Sequence, residues 1–106
     1  MKKIILCEGD SWTSGDIINP ELDVTWVNHP TNDEYRLPKV WPHKLGSLLG
    51  IDILNTSVAG SSNDGIVRRL VSNVLDLLKK YDGSEIFVIV GWSSPERKDF
   101  YTNGSW

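Results

Sequence analysis

The chain has 106 residues, 40% of them hydrophobic and 24% charged, with a net charge of -3. That is the size and composition of a single globular domain, residues 1–106, with a core of its own. Both signs of charge are spread along it without a basic stripe, which argues against a nucleic-acid partner. No apolar run is long enough to span a bilayer, and a lone cysteine, Cys7, excludes an intrachain disulfide framework.

Met1-Lys2-Lys3 followed by Ile4-Ile5-Leu6-Cys7 imitates an export signal. The apolar run is too short for one, and Glu8-Gly9-Asp10 follows at once. It reads instead as a buried strand, and the protein as cytoplasmic, in keeping with the single cysteine. A strand that stops at Gly9-Asp10-Ser11 places a hydroxyl at its carboxyl end, where open parallel α/β sheets build their sites. Thr13 to Asn19 is a loop or short helical turn limited by Pro20. Residues 19–38, with Pro20, Pro30 and Pro38, read as a long loop of the lid or binding type. Within it Val24-Thr25-Trp26-Val27 is a short β-type run.

Val40 to Leu49 reads as a helix, with Pro42 in its first turn, Trp41, Leu45 and Leu48 in one row, and Gly50 as terminator. His43 lies about 200° around from Trp41 and reads as a solvated helix histidine rather than a catalytic one. Ile51 to Leu54 is a second strand. A small-residue loop, Asn55 to Gly65, then leads into a helix from Ile66 to Leu78. Its apolar positions, 66, 67, 70, 71, 74, 75, 77 and 78, form a broad stripe to be buried against a sheet, and Ser61-x-x-Asp64 reads as its capping box. Glu85 to Val90 is the third strand, ending at Gly91-Trp92-Ser93-Ser94-Pro95. Glu96-Arg97-Lys98-Asp99 opens a further helix, with Glu96–Arg97 a surface pair. Strand and helix alternate, so the fold class is α/β, with a short parallel sheet in the order 2-1-3 and right-handed crossovers. Three loops then meet at one end of the sheet: Gly9–Trp12, Ala59–Asn63 and Gly91–Pro95.

A hydrolytic serine needs a base, and donors aimed at the developing oxyanion. The amides of Ser11 and Gly60 are candidate donors, and Ser93, after Gly91, is a third. Gly60 reads equally well as a tight-turn residue. Asp10 reads as an orienting acceptor in its turn. Trp12 and Trp92 either stack on a sugar ring or acyl group or pack in the core or at its rim, and Asn63 is a further candidate substrate contact. His29, beside Pro30, is either a base swung over Ser11 by its loop or a surface residue. The chain lacks Gly-x-Gly-x-x-Gly after its first strand, Gly-Lys-Ser/Thr, Gly-x-Ser-x-Gly and metal-ligand spacing. No cofactor is therefore expected.

Gly9-Asp10-Ser11 after an N-terminal strand resembles the first block of the SGNH/GDSL hydrolases. Asn55-x-Ser57-x-x-Gly60 is similar to their second block, Asn-x-Gly-x-x-Gly. Gly91-Trp92-Ser93-Ser94 falls where the third, Gly-x-Asn-Asp, would stand. Gly-Trp-Ser-Ser-Pro-Glu-Arg also looks like phage-encoded relatives. The resemblance implies a flavodoxin-like three-layer sandwich and hydrolysis of a small-molecule ester or acylated carbohydrate. Ser11 would be the nucleophile, the Ser11 and Gly60 amides oxyanion donors, and Ser93 the stand-in for the family's Asn. The family's Asp-x-x-His block follows two further strands, and neither His29 nor His43 matches it. The resemblance thus implies an N-terminal part, truncated relative to the family, with impaired turnover. A sheet edge left open would favour a homo-oligomer. The alternatives are a non-catalytic binding or structural module on the same fold, and a flavodoxin-like nucleotide binder.

Overall fold

Strand β1 (Ile4–Glu8) is buried at every position because it is the central strand of three. β2 (Asp52–Asn55) and β3 (Ile86–Val90) flank it, both parallel, in the order β2-β1-β3. Ile5 lies opposite Ile53 and Phe87, and Leu6 opposite Leu54 and Val88. This is a computed structural model, and it describes residues 2–97. The remaining elements are α1 (Ser11–Ser14), α2 (Asp33–Arg36), α3 (Trp41–Leu49) and α4 (Asn63–Leu77), with short 3-10 turns at Pro30–Asn32, Leu37–Lys39 and Gly83–Glu85.

Parallel neighbours need crossover connections, and α3 and α4 supply them. Side chains alternate between the two faces of a strand. On one face Ile4 and Leu6 pack with Leu77, joined by Leu54, Leu70, Val74 and Ile86. On the other, α3 approaches so closely at Gly46 that a Cβ there would meet Ile53 Cγ1 at 2.4 Å. The result is a three-layer α/β arrangement in the order 2-1-3, as the alternating pattern predicts. Among the described residues no helix is long and apolar enough to cross a membrane.

Several local expectations are corrected. The run Val24–Val27 forms no strand. It has no ladder partner among the described residues; the Trp26 carbonyl accepts from the His29 amide at 3.0 Å and the Val27 carbonyl from Asn32. Fully buried, Asn32 donates to the carbonyls of Ile17 and Val27, each at 2.8 Å, and accepts from the Asn19 amide at 2.9 Å. Buried Arg36 likewise ties this region to α1, donating to the Ser14 carbonyl and to Asp33 Oδ1. Residues 19–38 are thus a segment stitched down by side chains rather than an open loop.

The cap of α4 is Ser62, whose hydroxyl accepts from the Gly65 amide at 3.2 Å, so the Ser61-x-x-Asp64 box does not form. The apolar stripe of α4 is only partly buried, since Val67, Val71, Leu75 and Leu78 are exposed. Glu85 belongs to a capping box with Asp82, which delays β3 to Ile86. Pro95 and Glu96 form a turn, and Lys98 and Asp99 lie outside the described residues.

Candidate active site at the carboxyl end of the sheet

Hydrogen bonds join the three loops. The Val58 amide donates to the Gly9 carbonyl at 3.2 Å, and the Gly91 amide to the Glu8 carbonyl at 2.9 Å. Gly9 is obligatory here for want of space. A Cβ on it would stand 2.4 Å from Thr13 Oγ1 and 2.8 Å from the Gly91 carbonyl oxygen. Asn55 closes the end of β2 onto α1, donating to the Thr13 carbonyl at 3.0 Å and accepting from the Ser57 amide at 3.2 Å. Asn28 secures the same loop from outside, donating to the Ser57 carbonyl at 3.1 Å and accepting from the Ala59 amide at 2.9 Å.

Ser11 is the first residue of α1 and is half-buried. Asp10 caps that turn, its Oδ1 accepting from the Trp12 amide at 3.1 Å. Its other oxygen, Oδ2, faces the Arg97 guanidinium at 3.8 Å. Arg97 therefore turns toward Asp10, not only toward its neighbour Glu96. Glu96, held by its bond to Ser94 above all, has its carboxyl below the usual range.

Ser11 and Gly60 are each two residues from the Val58–Gly9 hydrogen bond, within about 7 Å of chain on either side. Among the described residues neither the Ser11 amide nor the Gly60 amide donates to a protein group. Gly60 has a φ of +80°, and a Cβ there would meet nothing within 4 Å, so only backbone conformation demands a glycine.

Asn63 engages the third loop with both ends of its amide. Its Oδ1 accepts from the Ser93 amide at 2.7 Å and its Nδ2 donates to the Ser93 carbonyl at 3.2 Å, which clamps the third loop to the second. Ser93 Oγ is buried and has no partner among the described residues. Trp12 and Trp92 are 86% and 58% exposed, so neither packs in the core.

The histidines are not brought to Ser11. Exposed His29 serves its own turn, its Nδ1 accepting from the Thr31 amide at 3.3 Å and lying 2.8 Å from Thr31 Oγ1. His43 is half-buried rather than solvated. It lines an open cleft of about 650 Å³ beside β2, with Gly46, Ile53 and Leu54, that includes none of the expected site residues. Its Nε2 is buried without a partner among the described residues, and burial, aided by the Arg36 charge, holds its pKa below the usual value. Among the described residues no group of three or more His, Cys, Asp and Glu could hold a metal ion.

A family model described as a family of unknown function, DUF6071, matches residues 21–106. The chain belongs to the DUF6071 family. The match takes in the second and third loops, and Gly9-Asp10-Ser11 lies before it. No curated protein and no solved structure matches the chain.

In this DUF6071 member the site rests on a charge pair that sequence reasoning missed. Glu8, at the end of β1, is 0% exposed, and Arg69 of α4 donates to its Oε1 through Nη2 at 2.7 Å and Nε at 3.1 Å. Thr56 Oγ1 donates to Oε2 at 2.7 Å, and Arg69 Nη2 also reaches Ser61 Oγ at 2.7 Å. One buried carboxylate thus links β1, the second loop and α4. The available signal was a glutamate ending an apolar central strand, since a buried charge demands a counter-ion.

Proposed function

We propose that the chain carries a serine ester-hydrolase site of the SGNH type, with Ser11 as nucleophile. The observation supporting it most is the bonded junction of three loops around Ser11, made by Val58–Gly9, Gly91–Glu8 and Asn63–Ser93. In this reading Ser11 Oγ bonds to the ester carbonyl carbon, and the carbonyl oxygen takes the electron pair. The Ser11 and Gly60 amides, which have no acceptor among the described residues, receive that oxyanion. Ser93 Oγ would join them after rotation about χ1. The alcohol then leaves with the serine proton, and water releases the acid from the acyl-serine. Trp12 and Trp92 offer exposed rings to an acyl chain or sugar face.

No imidazole among the described residues touches Ser11. The contribution assigned to these residues is therefore binding and oxyanion stabilisation, which in a triad enzyme without its triad leaves about 10³–10⁴ over water. That same observation favours a second reading, a non-catalytic module that binds an ester or acylated sugar at the exposed indoles. A fluorophosphonate probe separates the two. Labelling of the native chain that Ser11→Ala abolishes is the result expected of a nucleophile. A folded chain that is not labelled, yet whose tryptophan fluorescence shifts with an acylated oligosaccharide, establishes the binding module instead.

A further inference from the structure

Gly60 stands at the third position of a tight turn. The Ser61 amide donates to the Val58 carbonyl at 3.2 Å, and Gly60, just before Ser61, has a φ of +80°. A bond from the fourth residue to the first, with a positive φ at the third, is the signature of a type II turn. The closing bond uses the amide of Ser61. The Gly60 amide takes no part in it and has no acceptor among the described residues.

Two sets of bonds fix where this turn sits. On its entering side the Val58 amide donates to the Gly9 carbonyl, and Asn28 Oδ1 accepts from the Ala59 amide at 2.9 Å. On its leaving side the Ser61 hydroxyl donates to the Val58 carbonyl and accepts from Arg69 Nη2 at 2.7 Å. Ser61 is buried. The same Nη2 donates to Glu8 Oε1 at 2.7 Å. Glu8 Oε1 in turn accepts from the Gly9 amide at 3.1 Å, two residues before Ser11. One carboxylate thus reaches both loops that carry a candidate oxyanion donor, the second of them through one guanidinium and one hydroxyl.

The Arg69–Ser61 bond is more than the charge pair requires. Arg69 already gives Glu8 two hydrogen bonds, and Thr56 Oγ1 serves the second carboxylate oxygen at 2.7 Å. The buried carboxylate is satisfied without Ser61. What the third bond adds is a fixed distance between the Gly60 turn and the end of β1. An oxyanion donor needs that, because it acts within about 2.7–3.1 Å of the developing charge. A misplacement of about 1 Å costs on the order of 100-fold in rate.

We propose that Ser61 is a positioning residue for the Gly60 amide, holding it at its separation from Ser11 through Arg69 and Glu8. The catalytic meaning of this role rests on the reading of Ser11 as nucleophile; its geometry does not. Ser61→Ala cuts the link and spares the rest. The residue 61 amide still closes the turn, and Arg69 keeps both bonds to Glu8. The Arg69 side chain is 29% exposed, so its freed N–H turns to water. The cap of α4 is Ser62 and is untouched.

Amide relaxation of the chain and its rate of fluorophosphonate labelling test the proposal together. In Ser61→Ala the Gly60 N–H order parameter is expected to fall from about 0.85 toward about 0.6, with those of β1 and Gly65 unchanged. Labelling of Ser11 is expected to slow by about 10- to 100-fold, and Ser61→Thr, which keeps the hydroxyl, to restore both. A Gly60 order parameter that does not move overturns the proposal. So does labelling of Ser61→Ala at the native rate, or a folded Ser61→Thr that behaves like the alanine variant. A loss of order shared equally by Gly60, Gly65 and β1 overturns it too, since that is what a merely structural serine gives. A native chain that is never labelled overturns the Ser11 reading alone, and the Gly60 order parameter then decides the positioning. Should the added methyl keep Ser61→Thr from folding, the alanine variant decides by itself.

Discussion

Arg69 donates twice to the buried Glu8 carboxylate, at 2.7 and 3.1 Å, from a position 61 residues along the chain. The Glu8 side chain is sealed from solvent, whereas that of Arg69 keeps 29% exposure. The pair is therefore asymmetric: losing the arginine strands a buried charge, and losing the glutamate frees a cation that can still reach solvent. Arg69→Met is expected to lower unfolding free energy by about 3–5 kcal/mol, the range for breaking a buried pair, and Glu8→Gln by less. Urea denaturation at neutral pH measures both. Equal effects, or an Arg69→Met loss under about 1 kcal/mol, would show that the pair does not hold the end of β1.

Asn63 places both ends of its amide on the backbone of Ser93. Asn63→Ala removes two hydrogen bonds at about 0.5–1.5 kcal/mol each. The expected loss is about 1–3 kcal/mol, with faster hydrogen exchange at the Ser93 amide and little change in the β1 amides. Unchanged exchange at Ser93 would mean that the third loop is held by something else.

Two glycines of the site should respond differently to alanine. At Gly60 the new methyl meets open space but the backbone sits at φ +80°, so the loss is about 1–2 kcal/mol of conformational strain. At Gly9 the methyl collides with Thr13 Oγ1 and the Gly91 carbonyl, and backbone must shift. Such overpacking typically costs about 1–3 kcal/mol and here also spreads the first and third loops apart. Fluorophosphonate labelling should therefore fall more in Gly9→Ala than thermal stability alone predicts. Parallel losses in both variants would contradict the spatial argument.

Burial pushes the Cys7 thiol up to about 11 from an ordinary 9.0. The folded state then holds its proton where the unfolded state has released it. Stability from this group is complete below about pH 9 and is lost between pH 9 and 11. A disulfide reagent at pH 8 should leave the native chain unmodified and react fully in denaturant. Rapid native labelling would place the thiol at the surface.

His43 behaves in the opposite sense. Its pKa is lowered from 6.5 by burial and by Arg36, so the unfolded chain takes up the proton first as pH falls. Its contribution to stability is complete above pH 6.5 and is lost as pH falls from there through the folded value. His43→Gln should flatten the acid side of the denaturation-midpoint profile. A profile identical to the native one would show that His43 is solvated after all.

Much of the fold was legible in the sequence. The short apolar run at Ile4–Cys7, the 3.6-residue period from Ile66 and the β-branched run at Ile86–Val90 are local signals, and alternation of strand and helix yields the order 2-1-3. The three site loops follow directly, because they are the carboxyl ends of parallel strands. Asp10 as a turn acceptor was legible too, since an aspartate can bond an amide two residues on. The caps were less so: Ser61 and Ser62 are adjacent and chemically alike, and only the path of the chain selects Ser62.

What the sequence determined by itself was whatever depends on neighbours along the chain: periodicity, the glycine punctuation at Gly50, and the placing of Ser11 at a strand end. Tertiary structure decided what depends on partners far away. Glu8 found Arg69, Asn63 found Ser93, Asn32 bonded three backbone groups, and His43 turned inward. It also decided which half of the α4 stripe is covered. A periodic pattern says that a face is apolar, but only the width of the sheet beneath it says how much of that face leaves water. With three strands described, the sheet covers Ile66, Leu70 and Leu77, and leaves Val67, Val71 and Leu78 exposed.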